Sequence, residues 1–568
     1  LFHQGKYTAE CLCNLALGLA TVSLNDRLLQ KTWGNASEET KAIMTGQTIP
    51  APLPYQPSRT RTDLFSALFR ARKEFGADKT ILIDGDDREL SYKELIQGSL
   101  ALGSALRKGT KAGEAVGVML PSGAGAVIGF FALSAFNRIP AMLNFTAGAR
   151  NLKAALRAGE ISRIITAHKF VELGGLENLM DELSGSAEIV YLEDVRENLT
   201  LANKLVAAVG SIMPGLVRKQ SRYKSAGVML FTSGTEGEPK GVVLSHENVM
   251  ANVEQVRAHI GLNPDTDKLF NPLPTFHCFG LTVGAVLPLV AGIPVMFHPS
   301  PLQPREIVRR IRANQSTILL ATDTFISQYA RIGSDGDMDS IRLAVCGAER
   351  VKDETRSLVR RKFEIEILEG YGATEASPVI AANKWDNNRP GTVGSLMSGM
   401  ESRLLPVDGI EDGGRLHVKG PNIMMGYLRP SNPGVLERPE GGWHDTGDIV
   451  AIDNEGIIRI MGRVKRFAKI GGEMVSLAVV ENCASAIWPD NLHAAVTLPD
   501  PRKGEQVILL SDTPESNRED ILAWAKNHGV PELSVPRRVY HVDEIPVLGT
   551  GKIDYGAVQK KVEALLDD

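Results

Sequence analysis

The stretch Thr232-Ser233-Gly234-Thr235-Glu236-Gly237-Glu238-Pro239-Lys240-Gly241 gathers three hydroxyls, three glycines and one lysine in ten residues. Glycines let backbone N–H groups approach an anion closely, hydroxyls add donors and the lysine adds charge, which is the chemistry of a polyphosphate cradle. The P-loop NTPase pattern needs Gly directly before its Lys and Ser/Thr directly after; Pro239 and Gly241 stand there instead, so this is a phosphate loop of another kind. On composition alone the alternative is a glycine-rich surface hairpin. Other polar turns could join it: Cys346-Gly347-Ala348-Glu349, Glu369-Gly370-Tyr371-Gly372-Ala373-Thr374-Glu375 and Trp443-His444-Asp445-Thr446-Gly447-Asp448. Gly462-Arg463-Val464-Lys465-Arg466-Phe467-Ala468-Lys469 is a local cluster of positive charge, and Gly549-Thr550-Gly551-Lys552 holds a lysine that has no packing reason to be there. His277 lies beside Phe276 and close to Phe279, where a lone histidine is more often a satisfied core residue.

The elements that must hold these residues read as follows. Val228 to Phe231 is a short buried strand ahead of the loop, and Ser245-His246-Glu247-Asn248 caps a helix after the apolar run Val242-Val243-Leu244. Asp63 caps a helix beginning at Leu64, and Ser91 with Glu94 forms a capping box for a long helix to about Arg107. Strand-like runs at 116–120, 140–144, 161–165 and 188–192 alternate with helices, and a second alternating section has runs at 317–320, 343–345 and 365–368. This rhythm predicts parallel sheets covered by helices. In open α/β sheets ligands sit outside the carboxyl ends of strands, so the turns at Gly347 and Tyr371 should face the crevice of the phosphate loop. Beyond Gly391 short strands with glycine-rich turns predict a small β subdomain, and a compact α+β segment follows. Leu201, Leu205, Val209, Ile212, Met213 and Leu216 fall on one stripe of a helix spanning 201–219, with Lys204, Arg218 and Lys219 nearby. Two readings apply: a surface helix packing that stripe on the core, or an interfacial helix near an acyl entrance.

The chain has 568 residues, a net charge of -4 and 43% hydrophobic residues, the balance of an ordinary protein with a large core. That charge gives no argument for a nucleic-acid partner. Five cysteines without a CxxC pair fit a reducing compartment and speak against zinc. The run from Cys11 to Leu24 is too short to span a bilayer, and the chain starts without Met or a signal sequence, as a fragment or processed piece would. A cytoplasmic location, with a peripheral contact at the inner face of the cell membrane, is the expectation. Residues 1–60 read as an accessory extension ending in a Pro-rich linker.

Five motifs in this order resemble the acyl-adenylate-forming superfamily of acyl-CoA synthetases, luciferases and peptide-synthetase adenylation domains. They are the phosphate loop, Tyr371 to Glu375, Thr446-Gly447-Asp448, Gly462-Arg463 with its basic run, and Gly549 to Lys552. The resemblance covers roughly 63–556 and implies a large domain of stacked doubly wound α/β sheets with a small β subdomain (61–461) and a mobile α+β lid (462–568). The stretches 140–148, 276–284, 466–477 and 530–537 are similar to the acyl-[acyl-carrier-protein] synthetase half of bifunctional 2-acylglycerophosphoethanolamine acyltransferases. That family's separate acyltransferase domain carries His-x4-Asp; none of the eleven histidines here has Asp five positions on, so that half is absent.

The resemblance implies an AMP-forming acid–thiol ligase using ATP and Mg2+, passing a fatty acid to the phosphopantetheine of acyl carrier protein for phospholipid acylation. A long-chain fatty acid–CoA ligase is the alternative, and a non-catalytic carrier-binding half of a split acyltransferase is another. It assigns Thr232, Ser233, Gly234, Thr235 and Lys240 to the β- and γ-phosphates, Glu375 to the metal and Thr374 to the α-phosphate. Tyr371 would stack on adenine, with the backbone of Gly347, Ala348 and Glu349 lining the ring; Asp448 and Arg463 would take the ribose, with Gly372 and Lys469 also at the nucleotide. Lys552 would bridge carboxylate and α-phosphate, Lys465 would be the hinge and His277 a gate to the acyl or pantetheine tunnel. His277 stands where amino-acid-activating domains need Asp, which disfavours an amino-acid substrate. Arg459, Arg463, Lys465, Arg466, Lys469, Arg537 and Arg538 would form a basic docking face for an acidic carrier protein.

Overall fold

The computed structural model describes residues 52–233, 238–470, 473–547 and 553–567. The expectations for the first fifty-one residues, the run from Cys11 to Leu24 among them, lie outside these, as do Gly234, Thr235 and Lys552.

The local signals act where they were read. Asp63 Oδ1 accepts from Ser66 N at 2.8 Å at the head of the Leu64–Phe75 helix. Ser91 and Glu94 close their capping box on Tyr92–Leu106. Ser245 and Asn248 cap His246–His259, each side chain accepting from the other's backbone N–H. Each cap satisfies N–H groups that the first helical turn leaves unpaired.

Two large sheets form the body. In the first, the parallel strands Ala226–Ser233, Ile139–Met142, Ala115–Val118, Arg163–Thr166 and Glu188–Tyr191 run side by side in that order. Its other flank is antiparallel: Pro239–Ser245 pairs with Ala226–Ser233, and Gly426–Arg429 then pairs with Pro239–Ser245. Side chains alternate between two cores. Val116, Val118, Val228 and Leu230 join the large cluster shared with the second sheet, while Ala115, Met119 and Met229 join a cluster under the Gly148–Ala158 helix. Both faces are covered, as a mostly parallel sheet requires. The second sheet has parallel strands Val295–Phe297, Leu269–Asn271, Ile318–Ala321, Leu343–Cys346 and Glu366–Gly372 at its centre. A third, antiparallel sheet joins Glu401–Val407, Ile410–Lys419, His444–Ile452 and Ile458–Arg463. The α/β class, the β subdomain and the α+β C-terminal region are those read from the sequence.

Four details differ from the sequence reading. Glu366–Gly372 continues through Tyr371 as a strand, because Val379–Ala382 folds back to pair with it, so the polar turn begins only at Ala373. Gly462 and Arg463 pair with Ile449 and Asp448 in the third sheet, two residues beyond the domain boundary drawn at 461. The helix expected over 201–219 is Leu201–Gly210 only; Pro214 cannot continue it, and a short 3-10 turn, Pro214–Leu216, follows. Its stripe of large apolar residues also points away from the core. Asn203, Ala207 and Gly210 face the body instead, and Asn203 Nδ2 donates to Ser104 Oγ at 2.7 Å.

The C-terminal unit packs the Leu477–Ile487 and Arg518–Asn527 helices on one face of a sheet built on His493–Asp500 and Gly504–Ser511, and the Tyr555–Asp567 helix on the other. Arg331 Nη2 meets Asp490 Oδ1 at 3.1 Å between the body and this unit.

Candidate active site

The glycine-rich stretch begins and ends in a hairpin. Thr232 pairs with Lys240 and Ser233 with Pro239 across two antiparallel strands, and the tip at 234–237 lies outside the described residues. Thr232 Oγ1 is buried without a hydrogen-bond partner among the described residues. A buried hydroxyl in that state costs stability unless a ligand supplies the partner.

Tyr427, which the sequence reading did not single out, organises the space beside it. The Gly426–Arg429 strand crosses from the far side of the β subdomain to pair with Pro239–Ser245, and Tyr427 stands opposite Val242. Its hydroxyl donates to Glu375 Oε1 at 2.7 Å, and its ring lies under Lys240 Nζ at 4.2 Å from the centroid. Burial, then the Glu375 carboxylate, pushes the Tyr427 phenol far above its usual range. Burial pulls the Lys240 ammonium down and the Glu375 carboxylate opposes that. Thr374 and Glu375 sit in the short 3-10 turn Thr374–Ala376, and Met424 N donates to the Glu375 carbonyl at 2.8 Å. Gly372 cannot be another residue here, since a Cβ would lie 2.2 Å from the Pro378 carbonyl oxygen.

A second polar group centres on Asp448. Asp448 is buried; its Oδ2 accepts from the Tyr371 hydroxyl and its Oδ1 from Arg463 Nε at 3.1 Å. Burial raises the Asp448 carboxyl, with Arg463 the largest influence opposing it. Tyr371 itself packs among Ile380, Leu416 and Val450, so its hydroxyl fixes Asp448 while its ring belongs to the subdomain core. His444, also missed, is buried within the fields of Glu375, Lys240 and Asp448, and burial lowers its pKa. It links the two groups. The signal available was its place in Trp443-His444-Asp445-Thr446-Gly447-Asp448.

The remaining candidates divide. Ala348 holds φ +70°, so the Gly347-Ala348-Glu349 turn presents backbone, while the Glu349 carboxylate is turned onto Thr324, accepting from its N at 3.1 Å and its Oγ1 at 2.9 Å. His277 is half-buried, with its ring 4.8 Å from that of Phe276, and the field of Glu375 reaches the adjoining Cys278 thiol, which burial pushes up to about 12. A narrow apolar void lined by Val127, Phe130, Phe131, Met142, Leu281 and Val286 adjoins Thr275 in the same segment. Lys465 is exposed in the Val464–Arg466 turn, and its field reaches Lys240. Lys469 is exposed on the C-terminal unit, its backbone N–H held by Glu505. Lys552 lies outside the described residues; on either side of its segment Val547 bridges Ile553, and the Tyr555 phenol feels the charge of Glu349.

The expected basic face is smaller than its sequence. Arg463 is bound to Asp448, Arg537 to Asp500, and Arg466 to Glu481 at 2.6 Å with its guanidinium 3.6 Å over the Tyr555 ring. Arg459, Lys465, Lys469 and Arg538 remain exposed.

The family model described as "AMP-binding enzyme" matches residues 68–428. The chain is similar to a long-chain-fatty-acid–CoA ligase of Escherichia coli, 24% identical over 542 residues that cover 89% of this chain and 95% of that protein. Its fold matches ATP-bound MatB from Rhodopseudomonas palustris with a TM-score of 0.74, at 22% identity, covering 88% of this chain and 99% of that one. It likewise matches o-succinylbenzoate coenzyme A synthetase from Bacillus subtilis in complex with ATP and magnesium, with a TM-score of 0.74, 19% identity, and 87% and 99% covered.

Proposed function

The chain belongs to the AMP-binding enzyme family, and on that premise we propose that it activates a long-chain fatty acid with ATP and passes the acyl group to a phosphopantetheine thiol. The observation that carries the reading is the grouping of Thr232, Lys240, Tyr427 and Glu375 and that of Tyr371, Asp448 and Arg463, with buried His444 in the fields of Glu375, Lys240 and Asp448. The E. coli relative's name supports a fatty acid.

In the first half-reaction a carboxylate oxygen bonds to the α-phosphorus of ATP, the bond to the bridging oxygen breaks, and pyrophosphate leaves with the electron pair. Negative charge grows on the phosphoryl oxygens, so fixed donors and cations there lower the barrier. Thr232, Ser233, Gly234, Thr235 and Lys240 hold the β- and γ-phosphates, Thr374 donates to the α-phosphate and Lys552 faces the attacking carboxylate. Glu375 supplies a hard oxygen suited to Mg2+, which when bound neutralises phosphate charge. Asp448 accepts from the ribose hydroxyls, and Tyr371 and Arg463 keep its carboxylate in place. In the second half-reaction the thiol sulfur bonds to the acyl carbon, the acyl–phosphate oxygen bond breaks, AMP leaves and the thiol proton is released.

Two acceptors fit. The exposed cations Arg459, Lys465, Lys469 and Arg538 support an acidic carrier protein, whereas the name of the E. coli relative favours CoA. ATP–pyrophosphate exchange over a series of fatty acids tests the activation step, and absence of acid-dependent exchange would overturn it in favour of a non-catalytic carrier-binding role. Thioester formation with carrier protein and with CoA, side by side at low and high salt, separates the acceptors: salt should inhibit the carrier-protein reaction selectively.

A further inference from the structure

The segment 201–224 is built the wrong way round for a helix that packs its apolar stripe on the body. Its small or polar residues face inward: a Cβ on Gly210 would lie 2.9 Å from Leu100, and Asn203 is buried against Ser104. Val206 and Val217 also pack partly buried on the core, but Leu201 84%, Leu205 64%, Ile212 69%, Met213 57% and Leu216 69% are exposed. A capping box on Thr200 and Asn203 fixes the helix in this orientation. Folding therefore gains little from five large apolar side chains grouped on one short segment.

Charge identifies the partner. The segment holds Lys204, Arg218, Lys219, Arg222 and Lys224 and no Asp or Glu. Arg218 is consumed by Asp63 at 3.0 Å, leaving the other four exposed on the same segment as the apolar group. Acids on the neighbouring Leu192–Glu197 helix are partly engaged elsewhere, Glu193 by the His168 backbone and Asp194 by the His168 ring, each at 3.0 Å. Exposed apolar side chains and unpaired cations sharing one short segment suit a surface that is apolar beneath and anionic on top. A two-fold contact with a second copy would set the same four cations against themselves.

We propose that this patch docks the protein on the surface of an anionic lipid bilayer, with Leu201, Leu205, Ile212, Met213 and Leu216 entering the acyl boundary and Lys204, Lys219, Arg222 and Lys224 meeting lipid phosphates. The proposal stands independently of the ligase reading, and none of these residues belongs to the candidate active site. The test is flotation of the full chain with vesicles of phosphatidylcholine alone and of equimolar phosphatidylcholine and phosphatidylglycerol. The wild type should float with the anionic vesicles, more weakly with the neutral ones, and be released by high salt. Leu205→Glu with Ile212→Glu should abolish flotation without moving the thermal midpoint, and Lys219→Gln with Lys224→Gln should weaken it about thirtyfold. Equal flotation with neutral and anionic vesicles, or unchanged flotation of the apolar double variant, overturns the proposal. So does a wild-type dimer that the same variant converts to monomer without any vesicle binding.

Discussion

Replacing Tyr427 with phenylalanine removes one hydroxyl from the candidate site and leaves the ring. That hydroxyl donates to Glu375 at 2.7 Å, and the upward push of burial and of Glu375 keeps it protonated, hence a donor, across the neutral range. A hydrogen bond to a charged group contributes about 1.5–3 kcal/mol, so its loss, expressed fully in the transition state, lowers kcat/KM for ATP–pyrophosphate exchange by about 10- to 150-fold. The ring lies 4.2 Å from Lys240 Nζ, and Tyr427→Leu removes that contact too, worth about 0.5–2 kcal/mol or a further ~2- to 30-fold. Exchange kinetics across ATP concentrations, with thermal midpoints as the folding control, give both numbers. Because Tyr427 acts through Glu375, the Tyr427→Phe loss should shrink when measured in Glu375→Gln. Activity of Tyr427→Phe within about twofold of wild type, or an equal loss in both backgrounds, refutes the reasoning.

Lys552→Ala should lower acyl-AMP formation about a hundred- to a thousandfold yet leave thioester formation from pre-made acyl-AMP intact, and equal loss in both half-reactions would remove Lys552 from its role. Lys465→Pro should do the reverse, as a locked φ blocks rotation at the turn; normal thioester formation would rule out that hinge. Glu481→Leu strands Arg466, whose guanidinium loses its carboxylate partner, and should destabilise the C-terminal unit by about 3 kcal/mol in denaturant titrations; a change under about 0.5 would show that the pair carries no weight. His259 is buried, with its Nε2 2.8 Å from the Ala382 carbonyl oxygen, and burial lowers its pKa from 6.5 to about 4. The unfolded chain therefore takes the proton first as pH falls, so this stability term is complete above about pH 6.5 and is lost toward pH 4, up to about 3 kcal/mol. His259→Gln should flatten that acid limb in unfolding curves, and an unchanged slope would exclude His259 as its source.

What was legible in the chain was local. The caps at Asp63, Ser91 and Ser245 need only three or four consecutive residues, and the alternation of strands and helices repeats within a short window. Even the overlong helix had its stops in view, because Gly210 and Pro214 interrupt the apolar stripe. Contacts across the fold were not legible. Tyr427 meets Glu375 only because its strand crosses over to pair with Pro239–Ser245, and nothing in Met424-Met425-Gly426-Tyr427 announces that partner. For the same reason, seven cations close in sequence or composition read as one docking face, whereas Asp448, Glu481 and Asp500 consume three of them. The hairpin pairing of Thr232 with Lys240 depends on two strands meeting, and it sets a hydroxyl and a cation side by side.

The same pairings limit where a lid rotation can occur. Arg463 belongs to the body, since it pairs with Asp448 through both the backbone ladder and the side chain. Arg466 belongs to the C-terminal unit, where Glu481 and the carbonyl of Ala495 take its guanidinium and the Tyr555 ring lies beneath it. Breaking either set would leave a partly buried charge without its partner, at a cost far above that of turning a backbone dihedral. A rotation that keeps both sets must therefore be absorbed by Val464 and Lys465, the two residues between them. Tyr555 starts the helix that follows the Lys552 segment, so the Arg466–Glu481–Tyr555 cluster would carry any turn at Lys465 directly to the far end of the chain. The ribose acceptor Asp448 would stay behind on the third sheet. One short turn thus separates the group proposed to hold the nucleotide in both half-reactions from the lysine proposed to act in only the first.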